Sequence, residues 1–163
     1  MGLMFWWERG NRIGTATGTP SGGSPVTASD FCYYAGWQAG NQGCTPGYWK
    51  NHTGSWPPTG YSPSQAVDSV FSNVNTYYPT LGNATLLQAL AFDGGSGNQG
   101  AAEILLRAAV AALLNASHPS VAYPRASAEV IADVNAALLQ SRDAMLSLAA
   151  SLDADNNLGC PLH

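Results

Sequence analysis

Apolar positions fall into two unlike stretches of this 163-residue chain. Residues 1–43 begin with Met4-Phe5-Trp6-Trp7 and then run through NRIGTATGTPSGGSPVTASD, which offers almost nothing to bury. A Gly/Ser/Thr/Pro segment of that kind is extended or a linker. The pattern therefore predicts an extended N-terminal arm, 1–43, tipped by Phe5, Trp6 and Trp7. Large apolar side chains without a local core dock on their own domain or on a neighbour.

From Ser62 onward the apolar spacing becomes helical. Ser62-Pro63-Ser64-Gln65 supplies a cap, a first-turn proline and a capping-box glutamine, followed by Val67, Val70, Phe71 and Val74. This predicts a helix to about Tyr77, stopped by Pro79. A short helix follows over Thr85 to Ala91, ended by the glycines of DGGSGNQG. AAEILLRAAVAALLNA, residues 101–116, is apolar on nearly every side and reads as the buried central helix. Ser127 and Ser141 then cap two more helices, the last with Met145, Leu148 and Leu152 on its inner face. The fold expected for 44–163 is mainly α: a small bundle of four to five helices, closed by an aromatic Pro/Gly loop and a terminal disulfide.

That loop, GCTPGYWKNHTGSWPPTGYSP at 43–63, concentrates the candidate chemistry. Trp37, Tyr48, Trp49, Trp56 and Tyr61 form either a ligand-facing aromatic platform, suited to a carbohydrate, or the lid of a core. An enzyme would have to use Lys50, His52 and a carboxylate such as Asp68 or Asp93, but no nucleophile elbow, zinc-protease helix or phosphate loop accompanies them. The expected protein is not an enzyme and takes no cofactor. Asp153, Asp155 and Asn157 alternate like calcium ligands, yet Leu158 stands where an EF-hand requires glycine. They read instead as a polar loop after the last helix.

Composition narrows the partners. Lys and Arg total six against ten Asp and Glu, a net charge of -4. With no basic stripe to neutralise phosphates, nucleic acid is not an expected partner. The longest apolar block, AAVAALL at 108–114, is too short to predict a membrane span. The opening residues lack the apolar core of a signal peptide, whereas Asn51, Asn83 and Asn115 each begin an N-x-S/T sequon and are candidate glycosylation sites. Three cysteines, Cys32, Cys44 and Cys160, lack the paired spacing of a metal site. A bridge between Cys44 and Cys160 would close a loop worth about 5 kcal/mol in the chain-entropy model. Cys32 would then be a buried thiol or the partner of another chain.

The run CTPGYWKNH, a following Trp-Pro, LLRAAVAALLNASHPSVAYP, VIADVNAAL and the closing LDADNNLGCPL together resemble an uncharacterised module of bacterial secreted and cell-surface proteins, over about 44–162. The resemblance implies an extracellular or cell-surface setting, a link between Cys44 and Cys160, and no established activity. It does not reach the arm. The reading that joins these observations is an extracellular structural module, homo-oligomeric or filamentous through Phe5, Trp6, Trp7 and Cys32. A carbohydrate-binding or adhesion module using the loop at 48–61, with glycans as partners, is the alternative.

Overall fold

The structure, a computed structural model, describes residues 40–163. The expectations for Phe5, Trp6, Trp7, Cys32 and Trp37 lie outside the described residues. The described part is mainly helical: seven α-helices and three single 3-10 turns, with only isolated β-bridges outside them.

The first helix, α1 (Pro46–Asn51), lies inside the stretch expected to be an aromatic Pro/Gly loop. Pro46 occupies the first turn and the Thr45 side chain accepts from the Tyr48 N–H at 3.1 Å. Two 3-10 turns, Thr53–Ser55 and Pro57–Thr59, carry the chain on through the prolines.

The helix expected from Ser62 to Tyr77 does not form. In its place stand a 3-10 turn, Val67–Ser69, and two one-turn helices, α2 (Val74–Tyr77) and α3 (Pro79–Gly82). The segment is rich in β-branched and Ser/Asn residues, which favour helices least because they lose rotamer freedom or bond their own backbone. Here Ser69 Oγ donates to the Ala66 carbonyl at 2.7 Å, and Ala66 pairs with Thr85 across the chain. Burial nevertheless follows the expected spacing at Val67, Phe71 and Val74. Pro79 opens α3 rather than merely ending its predecessor.

Next comes α4 (Leu86–Ala89), which has a complete capping box between Thr85 and Gln88. The central helix, α5 (Gly97–Ser117), begins four residues earlier than the apolar run itself. Its start is tight: a Cβ on Gly100 would lie 2.1 Å from the Gly95 carbonyl oxygen, so only glycine fits. α5 has the length and apolarity to cross a membrane, but 72% of its most apolar window is buried inside the domain. It serves as the core around which α6 (Ser127–Leu138) and α7 (Arg142–Asn156) pack. Ala101, Ala102, Ala108, Ala109, Ala111 and Ala112 are all buried, and such small side chains let neighbouring helices approach closely.

Ser127 is the first residue of α6 rather than its cap, whereas Ser141 caps α7 by accepting from the Ala144 N–H. Met145 and Leu152 are fully buried and Leu148 is half-buried. The polar loop expected at 153–157 is also revised. α7 continues through Asn156, so Asp153 and Asp155 lie on a helix, and Asp155 bonds Arg125 at 2.6 Å.

Candidate functional site

The entering and leaving chain meet at one seam. Gln42 N–H donates to the Ala122 carbonyl at 2.9 Å, and Gln42 Oε1 accepts from the Ala122 N–H at 2.8 Å. Gly43 N–H donates to the Gly159 carbonyl at 3.0 Å. Residues 40–43, read from sequence as the end of the arm, are thus bonded into the helical unit. A Cβ on Gly43 would sit 2.1 Å from the Asp155 carbonyl oxygen, which explains glycine there. One residue further on, Cys44 and Cys160 form the disulfide. Cys44 is fully buried and Cys160 is exposed.

Behind the disulfide lies a closed polar cluster. Asn115 Oδ1 accepts from the Cys44 N–H at 2.8 Å and from the Trp49 indole N–H at 3.0 Å. Its Nδ2 donates to the Cys44 carbonyl at 2.8 Å and to Asn156 Oδ1 at 3.0 Å. All four hydrogen-bonding positions of that carboxamide are therefore occupied. Asn156 Oδ1 also accepts from the Tyr123 hydroxyl at 2.9 Å, while Asn156 Nδ2 donates to the Ala108 carbonyl at 3.1 Å. The Trp56 indole N–H closes the set by donating to the Trp49 carbonyl at 3.0 Å.

Position explains these contacts. Asn115 and Ala108 are seven residues apart on α5, two turns along one face, and Asn156 is the last residue of α7. Asn115, Asn156, Trp49 and Trp56 are all 0% exposed. Buried polar groups with every partner in place fix a single arrangement, and leaving any of them unpaired is costly. Burial, with Asp155 nearby, raises the pKa of the Tyr123 hydroxyl and keeps it a donor. Arg125 fastens the adjoining strand of chain through Asp155 and through Ser151 Oγ at 2.5 Å. His118, beside Trp49 at 6.0 Å between ring centroids, accepts from the Ser120 N–H on Nδ1. Burial lowers its pKa.

The sequence candidates separate into two groups. Trp49 and Trp56 face the core, so a ligand on the folded surface does not reach their rings. Tyr48 and Tyr61 remain half-buried, and Tyr48 stacks on the exposed His52 with ring centroids 4.1 Å apart. His52 Nδ1 lies 2.8 Å from the Tyr48 carbonyl, so among the described residues its partner is backbone rather than a carboxylate. Lys50 and Asp93 are exposed, and Asp68 accepts from Asn75 Nδ2 at 3.1 Å. No acid and base from that set are paired. Among the described residues no group of three or more His, Cys, Asp or Glu side chains is arranged to hold a metal ion.

The sequons divide likewise. Asn51 and Asn83 are exposed, although Asn51 Nδ2 already donates to the Gly47 carbonyl at 2.9 Å. Asn115 is enclosed and cannot carry a glycan in this fold. Its role as the hub was missed, as were those of Asn156 and Tyr123. A signal existed: Asn115 is the one strongly polar side chain in the apolar stretch Ala108–Ala116, and Asn156 continues the buried Met145, Ala149, Leu152 face by a further turn. No protein-family model, no curated protein and no solved structure matches this chain.

Proposed function

We propose that the chain is a non-enzymatic extracellular structural module that assembles head-to-tail, as a fibre or a surface array, through the segment before Gly40. The observation that carries this reading is the direction of the polar groups around the aromatic stretch. Those with strong hydrogen-bonding capacity, on Asn115, Asn156, Trp49 and Tyr123, are spent on holding Cys44 and α1 in place. The helical domain spends these groups internally, whereas Phe5, Trp6 and Trp7 precede a Gly/Ser/Thr-rich stretch of sequence that offers few apolar side chains.

An oxidising setting is supported by the Cys44–Cys160 disulfide, since such bonds persist outside the cytosol. The resemblance to bacterial secreted and cell-surface modules points the same way. A tip that docks on the next copy makes a heterologous contact, and a heterologous contact whose rotation does not close yields a filament. An extended segment added to a neighbour would contribute backbone hydrogen bonds as well as side-chain burial.

Deletion of residues 1–31 tests the proposal. Light scattering and electron microscopy of the full chain should show assemblies that the truncated chain does not form. Equal particle size for the two proteins overturns the reading.

A second reading, carbohydrate binding, keeps one specific support: the Tyr48–His52 stack and the half-buried Tyr61 leave aromatic surface next to the exposed Pro57 and Pro58. Glycan-array binding that Tyr48→Ala and Tyr61→Ala abolish would favour it over assembly. Binding indifferent to both substitutions removes it.

A further inference from the structure

One turn holds the segment that enters the helical domain. A Cβ on Gly40 would lie 1.9 Å from the Ala122 carbonyl oxygen, so the backbone there runs directly against that of Ala122. Gln42 then pairs with Ala122 twice, its N–H donating to the Ala122 carbonyl at 2.9 Å and its Oε1 accepting from the Ala122 N–H at 2.8 Å. Ala122 is presented by the turn His118-Pro119-Ser120-Val121, in which the Val121 N–H donates to the His118 carbonyl at 3.1 Å.

A histidine ring braces that turn. The Ser120 N–H donates to His118 Nδ1 at 3.1 Å. A backbone N–H cannot accept, so Nδ1 offers its lone pair and the ring is neutral, with its proton on Nε2. A proton on Nδ1 would set two donors facing each other across that distance.

We propose that the turn 118–121 is an acid-operated latch for the entering segment 40–42, opened when a proton occupies His118 Nδ1.

The surroundings fix which side yields. The His118 N–H donates to the Leu114 carbonyl at 3.0 Å, and its buried ring lies against the enclosed Trp49. Pro119 and Ser120 are exposed. The conflict is therefore relieved by outward movement of Ser120, which carries Val121 and Ala122 with it and strips Gln42 of both bonds. The opening stops at Gly43, because Gly43 bonds to Gly159 and Cys44 to Asn115, and neither partner belongs to the turn.

No charged neighbour sets the response. On α1, Lys50 and His52 are exposed and Tyr48 stacks on His52. Beyond the turn, the Tyr123 hydroxyl is committed to Asn156 and Arg125 to Asp155. α7 adds Asp153, and α5 has no ionisable residue between Arg107 and its end. Burial alone lowers the His118 pKa. The released ring takes its proton near the ordinary value of about 6.5. Opening should then rise by up to about tenfold per pH unit as pH falls from about 6.5 toward the lowered pKa of the latched state, the slope of one proton. The latch lies within residues 40–123 and does not rest on the assembly reading.

The test is amide hydrogen exchange by NMR on the full chain from about pH 7.5 to 5, corrected for intrinsic exchange, with the Cys44 N–H as internal reference. Protection of the Gln42 and Ala122 N–H groups should fall by up to about tenfold per unit below about pH 6.5 while Cys44 stays protected. His118→Gln, whose carboxamide takes no proton, should keep both groups protected. In Gln42→Ala, the weakened latch should let the His118 ring titrate at a higher pH than in the unaltered chain, because coupling between proton and latch is reciprocal. Constant protection at Gln42 and Ala122, an equal loss in His118→Gln, loss at Cys44 in parallel, or an unchanged His118 titration in Gln42→Ala overturns the proposal.

Discussion

The inner and outer faces of the short α1 region use similar residue types in opposite ways. On the inner face Trp49 is enclosed, and its indole N–H meets a carboxamide that is itself bonded at every position. On the outer face Tyr48 and Lys50 project from the same six-residue helix and His52 follows at its C-terminal cap, held by one stack, one backbone contact and the hydrogen bond between the Tyr48 hydroxyl and Ser55 Oγ. A ring or an amide is structural or available according to the face it occupies. Sequence composition alone does not separate the two; the 3.6-residue period of the helix does.

The contrast breaks most sharply at its hub. Asn115→Ala should destabilise the domain by roughly 3–5 kcal/mol, because it strands the Cys44 N–H, the Cys44 carbonyl and the Trp49 indole N–H in a buried site. Urea unfolding measures the loss, and a red shift of tryptophan emission in the remaining native state would show water reaching Trp49. A loss under about 1 kcal/mol would mean that the cluster is not a clasp.

Asn156→Ala should cost less, about 2–4 kcal/mol, since the Tyr123 hydroxyl and one Asn115 N–H lose their acceptor while Cys44 and Trp49 keep theirs. Chemical denaturation again gives the value. On the outer face, Lys50→Ala and His52→Ala should each shift stability by no more than about 0.5 kcal/mol. A large effect from either would erase the distinction between the faces.

A smaller pH effect belongs to His118. Burial lowers its pKa, so the folded state favours the neutral ring and binds fewer protons than the unfolded chain just below the ordinary histidine value near 6.5. Stability should therefore decline as pH falls from about 7 through 6.5 toward the lowered folded-state pKa. His118→Gln should flatten that part of the profile in paired unfolding curves. An unchanged slope would show that other groups carry it.

Much of this fold was legible where local signals and burial agree. The short helix opening near Thr85, the apolar α5 and the Ser141 cap are each written in a few neighbouring residues, whereas α1 stands in a stretch expected to be a loop. The stretch from Ser62 to Tyr77 was misread because its apolar spacing is helical while its β-branched and Ser/Asn residues resist a helix. Contacts with Ala84 and Thr85, remote in sequence from Gln65 to Val67, decided the outcome. The aromatic lid was one of two readings of the sequence, and burial of Trp49 and Trp56 selects it for those two rings. The Asn115 hub stayed hidden because a sequon offered a surface explanation for a residue whose place in an apolar helix pointed inward.

Reduction of the disulfide separates the clasp from the covalent staple. A disulfide stabilises mainly by restricting the unfolded chain, so its loss should lower global stability while leaving native contacts at the seam in place. The direct measurement is amide and indole hydrogen exchange in the full chain after reduction, followed at the Cys44 N–H and the Trp49 indole N–H. Both should remain protected together with the α5 backbone, because Asn115 holds them without the sulfur bond. Exchange of these two groups as fast as in an open loop, with α5 still protected, would contradict the account.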